Sequence, residues 1–249
     1  MESKNLIYIY GVNPVEEAFK ESNVIKEIYV SRDRAQRLSN ILELAEKNSI
    51  PVKLVDKFFL DKTVNGVHQG IVAKVKSKKT ISIEDALIIP EKRNEPALFL
   101  ILDLIEDPQN FGAILRVADA TGVHAVFYQK KRSAGLVPSV WKTSAGAIWH
   151  VNLVEVNNIK YAIRELKEND IAVIATDAKE GDILWNFDFK KPVAIVLGSE
   201  GKGVRHTVGK LSNLLLKIPM KGKISSLNVS TAAAVILFEA VRQRSLLVK

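Results

Sequence analysis

Two stretches of this chain are apolar without alternation: residues 97–105, ALFLILDLI, and residues 192–198, PVAIVLG. A strand with one wet face alternates apolar and polar side chains, whereas a strand covered on both faces does not. Such runs belong in the middle of a parallel sheet flanked by helices, which places the chain in the α/β class. The segments around them agree. HAVFYQ, VNLVEV and IAVIATD read as further strands, NFGAILRVADATG and YAIRELKEN as helices between strands, and STAAAVILFEAVRQR as a long closing helix.

Residues 6–75 repeat the pattern on a smaller scale. IYIYG, EIYV, PVKLV and GIVAKV are strands, and AQRLSNILELAEKN is an amphipathic helix. NPVEEAFKES is a helix for which Asn13 is the expected cap and Pro14 the first helical residue. Between the two patterns lies KSKKTISIEDALIIPEKRNEPA, a basic cluster followed by Pro90, Pro96 and a charged stretch, with ISIEDALI as a short helix inside it. The expected organisation is a small α/β domain over 1–77, a linker over 78–96 and a larger domain over 97–249.

Composition narrows the chemistry. The 249 residues contain no cysteine and four scattered histidines, which excludes disulfides and thiolate catalysis and removes the commonest zinc frameworks. No apolar run approaches the roughly 20 residues of a membrane span, and MESKNLIYIYG lacks the layout of a signal peptide. A cytoplasmic protein without a metal is expected. The net charge is +8, spread along the chain: residues 1–79 hold 14 basic and 10 acidic side chains. That balance suits a polyanionic partner, and it serves solubility equally well.

Three motifs sit at strand ends in the larger domain. In DPQNFGAILR, Asn110 is a natural helix cap, Gly112 admits close approach and Arg116 follows six residues on. In LGSEGKGV, a buried strand runs into Gly198, Ser199, Glu200, Gly201 and Gly203; the spacing is neither a dinucleotide fingerprint nor a phosphate-binding loop. In IPMKGKISSLNVS, Gly222, Ser225, Ser226 and Asn228 crowd the entry to the last helix. Each alone is explained by an ordinary turn or cap. Together they point to a site, because the carboxyl ends of strands in an open α/β sheet share one edge.

In that order, with those internal residues, the three motifs resemble the SpoU/TrmH family of RNA ribose 2′-O-methyltransferases within the SPOUT superfamily. YIYGVNPVEEAF and GVHQGIVAKV look like the substrate-binding domain of the branch that modifies a guanosine of large-subunit (23S-type) ribosomal RNA. The resemblance implies a trefoil-knotted catalytic domain preceded by a smaller α/β RNA-binding domain similar to a ribosomal protein. It implies S-adenosylmethionine as cofactor, held largely by main-chain groups at Gly198, Ile218 and Leu227, with Met220 and Asn228 close by. It assigns catalysis to Arg116, with Asn110, Glu200 and Asn228 around it, in a homodimer acting on ribosomal RNA. A guanidinium is an awkward base because it normally stays protonated, so an oxyanion- or phosphate-orienting role for Arg116 is the rival on physical grounds. The same chemistry on transfer RNA or another ribosomal site is the alternative substrate. A noncatalytic RNA-binding module is the alternative class, and a nicotinamide-linked dehydrogenase is disfavoured for want of its glycine triplet.

Further candidates are weaker. Arg32, Arg34 and Arg37, with Lys76, Lys78 and Lys79, suit either RNA phosphates or a solvated face. His68 belongs to the HQG segment or is structural, and Trp141, Trp149 and Trp185 suit base stacking or core packing.

Overall fold

The computed structural model describes residues 6–178 and 180–245. Residues 1–5, part of the stretch read above for a signal, and residues 246–249 lie outside the described residues. The front elements are β1 (Leu6–Tyr10), α1 (Val12–Phe19), β2 (Ile25–Ser31), α2 (Ser39–Lys47), β3 (Val52–Val55), α3 (Lys57–Thr63) and β4 (Ile71–Lys76). Then come α4 (Ile83–Arg93), β5 (Leu98–Asp103), α5 (Pro108–Ala120), β6 (Ala125–Gln129), α6 (Pro138–Thr143), α7 (Ala147–His150) and β7 (Leu153–Val156). The chain continues through α8 (Ile159–Glu168), β8 (Ala172–Thr176), β9 (Asp182–Ile183), β10 (Val193–Gly198), α9 (His206–Gly209), β11 (Leu214–Lys217) and α10 (Val229–Ser245). Two compact units result: residues 1–79 with 136–150, and residues 80–135 with 151–249.

The first unit is built on a sheet of order β1-β4-β2-β3. Strands β1 and β2 run antiparallel to β4, and β3 runs parallel to β2. Tyr10, Tyr29 and Val72 from the strands meet Leu60 and Val64 in one apolar cluster. Helix α1 corrects the expected cap. It begins at Val12 with Gly11 as the cap residue, so Asn13 lies inside the first turn. The reason is a distant acceptor: Gln69 Oε1 takes the Val12 N–H at 3.0 Å. Trp141 and Trp149 are buried, edge to face at 4.5 Å between ring centroids, so both are core and neither is open to a base. Trp185 is half-exposed.

The second unit carries a seven-stranded sheet of order β7-β6-β5-β10-β8-β11-β9, parallel throughout. All six residues of β5 and of β10 are buried. On one face Phe99, Ile101, Ala194 and Val196 pack with Ile159, Ile163 and Leu166 of α8 and with Ile83 and Ala86 of α4. The alternate residues, Leu98, Leu100, Leu102, Ile195 and Leu197, bury the other face, where α10 packs on α5 and β10. Covering each such side chain is worth about 1.5–3 kcal/mol. ISIEDALI forms the start of an 11-residue helix, α4, fixed by a capping box between Ser82 and Asp85.

Because the strands are parallel, the carboxyl ends of β5, β8, β10 and β11 share one edge. The loops 104–107, 199–205 and 218–228, and the chain from Asp177 after β8, all leave from it.

Candidate functional site

Helix α5 begins one turn earlier than the motif suggests. Asp107 is its cap, accepting the N–H groups of Gln109 and Asn110 at 3.2 and 3.1 Å, and Pro108 follows at the first helical position. Asn110 is therefore a buried residue of the first turn rather than the cap. With Asp107 satisfying the helix end, the Asn110 amide is released to reach another loop.

It reaches Asn228. The Asn228 Nδ2 group donates to Asn110 Oδ1 at 2.9 Å and to Glu200 Oε1 at 2.5 Å. Its Oδ1 faces the other way, accepting from the Ser230 N–H at 2.8 Å, the Ser230 hydroxyl at 2.6 Å and the Thr231 N–H at 3.4 Å. The carbonyl half of one amide thus caps α10 while its amino half ties the first motif to the second. An asparagine has a donor and an acceptor on one planar group, which is what this double duty demands. Aspartate or serine would cap as well and bridge less.

Beside this junction the glycine loop folds back on its own strand. The Gly203 N–H donates to the Ser199 carbonyl at 2.8 Å. A Cβ placed on Gly198 would lie 2.0 Å from the Gly203 carbonyl carbon, so no side chain fits there. Across the gap, residues 218–227 form neither helix nor strand. Among the described residues they make no main-chain hydrogen bond to another main-chain group. Peptide groups seldom stay unpaired without water or a ligand to meet them.

These loops enclose a cavity of about 300 Å³, at the lower end of the roughly 300–1,000 Å³ common for small-molecule sites. Gly198, Glu200, Ile218, Met220 and Leu227 line it, and Leu184, Leu197, Leu216 and Ile236 give it an apolar wall. A second cavity of about 290 Å³ adjoins, lined by Asp107, Asn110 and Lys202 among others. The two share Ser199, Glu200 and Val229. Two ligand-sized spaces therefore meet at Glu200, which Asn228, itself lining neither, ties to Asn110. Arg116 stands apart on the exposed face of α5, about 9 Å along the helix axis from Asn110. It lines neither cavity and makes no hydrogen bond or ion pair among the described residues. No group of three acidic or histidine side chains among the described residues is placed to hold a metal.

Two parts of the site went unread in the sequence. Thr176, Asp177 and Ala178 also line the first cavity; IAVIATD ends on this edge, and its strand-end position was the available signal. The second is Asp103, fully buried at the end of β5. Its Oδ1 accepts from Arg205 Nε at 2.8 Å and Nη2 at 2.5 Å, and its Oδ2 accepts the Arg205 N–H at 3.0 Å. Arg205 Nη2 also donates to Gln129 Oε1 at 3.2 Å, so the exit of the glycine loop is fastened to the ends of β5 and β6. The signal was the single acid in ALFLILDLI, since a carboxylate in a covered strand requires a partner.

Residues 97–238 match the SpoU rRNA Methylase family, and residues 8–81 match the family described as RNA 2′-O ribose methyltransferase substrate binding. The putative TrmH family tRNA/rRNA methyltransferase YacO of Bacillus subtilis is 38% identical over 239 residues, 96% of each chain. The 23S rRNA (guanosine-2′-O-)-methyltransferase RlmB of Pseudomonas putida is 39% identical over 241 residues, 95% of this chain and 96% of that one. Among solved structures, the SpoU methyltransferase AviRb of Streptomyces viridochromogenes, crystallised with AdoMet, aligns with a TM-score of 0.79 over 97% of this chain and 91% of that one. At 24% identity that likeness concerns the fold alone. The family match spans all three motif loops and more than half of the sequence, and the chain belongs to the SpoU methylase family.

Proposed function

We propose that this protein transfers a methyl group from S-adenosylmethionine to the ribose 2′-hydroxyl of a guanosine in 23S-type ribosomal RNA. The observation that carries the reading is the junction of Asn110, Glu200 and Asn228 between two adjoining cavities, an arrangement suited to passing a group from one ligand to another. The near-40% identity to the Pseudomonas putida enzyme along both units favours ribosomal RNA over transfer RNA.

The first cavity fits the cofactor. Its aliphatic wall suits an adenine ring, Gly198 lets the glycine loop fold back close against its strand at the cavity's edge, and the 218–227 loop offers unpaired N–H and C=O groups. Gly198, Ile218 and Leu227 would hold it chiefly by main chain, with Met220 and Asn228 beside them. When bound, the sulfonium supplies an electrophilic methyl carbon and leaves as a neutral thioether, so no metal is required to stabilise the leaving group. The second cavity takes the target nucleotide next to Asn110 and Lys202. Asn228 fixes the Asn110 and Glu200 side chains at the border, which limits the nucleotide to an in-line approach. Arg116, exposed and unpaired, is available to the incoming RNA. Because Arg116 lines neither cavity of its own chain, in the homodimer it is Arg116 of the partner subunit that reaches the 2′-oxygen. A guanidinium ordinarily keeps its proton, so its part there is to hold the developing charge, while the hydroxyl proton passes to water.

The reading includes a trefoil knot within residues 97–249, a front RNA-binding part over 1–77 joined through 78–96, a homodimer and a cytoplasmic location. The half-exposed Phe238 on α10 supports the dimer. No helix among the described residues is long and apolar enough to cross a membrane.

The test is direct. The protein is incubated with methyl-labelled S-adenosylmethionine and, separately, with unmodified large-subunit ribosomal RNA and transfer RNA, and the labelled ribose is mapped. Label on one 23S-type guanosine ribose is expected; label only in transfer RNA, or in neither RNA, contradicts the proposal.

A further inference from the structure

The first unit holds a cavity of its own, of about 380 Å³, walled by the end of β2, by α3 and by the loop entering β4. Its charged lining is Asp33, Arg34, Lys57 and Asp61. Both acids are engaged: Asp33 accepts from the Ser31 hydroxyl, and Asp61 accepts from His68 Nε2 at 3.0 Å. His68 is buried and held from its other side, Nδ1 accepting the Gly70 N–H at 3.0 Å. The Asp61 carboxylate is thereby fixed, with a second oxygen left to accept. Neither Arg34 nor Lys57 makes a hydrogen bond or ion pair among the described residues, although both charges lie near enough to Asp33 to help hold its carboxyl below the usual range, after the Ser31 hydroxyl. Gly70 keeps Arg34 in place: it sits at φ +89°, and a Cβ there would lie 2.6 Å from Arg34 Cγ.

Next to the cavity on α3, Phe58 is 64% exposed, and Lys62 Nζ lies 4.3 Å from its ring centroid. Phe58 and Lys62 are one helical turn apart, as are the cavity-lining Lys57 and Asp61, so the two pairs occupy neighbouring faces. An exposed aromatic ring with a cation over it, beside two exposed cations and a fixed acceptor, matches the needs of an unstacked nucleotide. Its phosphate seeks Arg or Lys, its base seeks a ring face, and its amino edge seeks a carboxylate.

We propose that this cavity binds one unpaired nucleotide of the RNA, its phosphate on Arg34 and Lys57, its amino edge on Asp61 and its base against Phe58. The inference rests on the reading of the protein as an RNA methyltransferase and adds a second anchoring point remote in sequence from the motif loops. It explains why His68, outside the reaction, is buried and doubly bonded: it orients Asp61.

The experiment uses the full chain and a deproteinised 23S ribosomal RNA transcript, measuring affinity across salt concentrations together with methyl transfer. Arg34→Gln/Lys57→Gln is expected to weaken RNA binding about tenfold. It should also make the slope of log affinity against log salt shallower by about 1.5, because two cations no longer displace counterions from the RNA backbone. Phe58→Ala is expected to weaken binding about tenfold with the slope unchanged, because stacking carries no counterion release. In both, cofactor affinity and kcat at saturating RNA stay at the wild-type value. These are exposed side chains, so the fold is retained. If the wild type methylates the transcript and the double variant keeps wild-type affinity and slope, this site is wrong while the methyltransferase reading stands. If the wild type methylates no RNA, that reading falls, and this inference with it.

Discussion

The two ends of α10 lie toward opposite edges of the same sheet and are fastened by opposite means. At its start one exposed amide, Asn228, caps the helix and bridges two loops. At its finish the half-buried Arg244 donates to the carbonyls of Phe189 at 2.9 Å, Pro96 at 2.6 Å, Ala97 at 2.8 Å and Lys191 at 3.1 Å. Near that end Glu95 pairs with the buried His124 ring at 3.1 Å, and His124 Nδ1 accepts the Leu98 N–H at 3.0 Å. One edge leaves main-chain groups unpaired around two cavities; the other meets its carbonyls with a half-buried cation. A site that must admit ligands keeps its polar groups open, and an edge that only holds strands together closes them. Changes at the first edge should cost activity, and changes at the second should cost stability.

Arg116→Ala tests that division most severely. Methyl transfer should fall about a thousandfold, with S-adenosylmethionine affinity and the urea midpoint unchanged. Retained turnover would remove Arg116 from the chemistry. At the closed edge, Arg244→Ala should lower unfolding free energy by about 3 kcal/mol, since a charged donor is lost and buried carbonyls are left unmet. Activity per folded molecule should survive, and equilibrium denaturation beside single-turnover kinetics would separate the two. An Arg244→Ala protein that is stable and inactive would break the comparison.

Between these extremes lies Arg205→Ala, which touches both. It strands the buried Asp103 carboxylate, a change worth about 3 kcal/mol in stability, and it loosens the glycine loop. Weaker cofactor binding should accompany the lower denaturation midpoint; a stable variant with normal affinity would show that the ion pair positions nothing.

The smallest expected effect is one of pH. Burial, and then the Arg93 charge, hold the His124 imidazole below its ordinary value, against the opposing pull of Glu95, while Arg244 adds to the depression. The unfolded chain takes up the proton first as pH falls through about 6.5, so the contribution of His124 is present above that pH and is lost toward the lower folded value. Denaturant midpoints between pH 7.5 and 5.5 should decline, and His124→Gln should flatten the part of that decline due to this ring.

The sequence made the sheet legible because β5 and β10 are covered on both faces, and that leaves an unmistakable trace in ALFLILDLI and PVAIVLG. It also marked the loops of the site, since glycines and amides at the ends of such strands have few other uses. What it hid was the sharing of partners. Asp107 and Asn110 are both capable caps three residues apart; Pro108 favours Asp107, and the partner that Asn110 takes instead, Asn228, comes from a different loop. Asn13 lost the capping role to Gln69, which is 57 residues from Val12. Residues 136–150 group with the first unit although they lie between strands of the second, a consequence of long-range packing that no local pattern records. Strand β9 is two residues long and has no period to detect.

The central claim is that one amide does two jobs, and Asn228→Asp separates them. A carboxylate still accepts the Ser230 and Thr231 N–H groups, so the cap on α10 survives, but it cannot donate to Asn110 or Glu200. Measured by single-turnover methylation, Asn228→Asp should lose at least about tenfold in rate, a deficit of about 1.4 kcal/mol or more. Asn228→Ala should lose as much and also about 1 kcal/mol of stability. Wild-type turnover by Asn228→Asp would contradict the account, because the three motifs would then be joined by something other than this side chain.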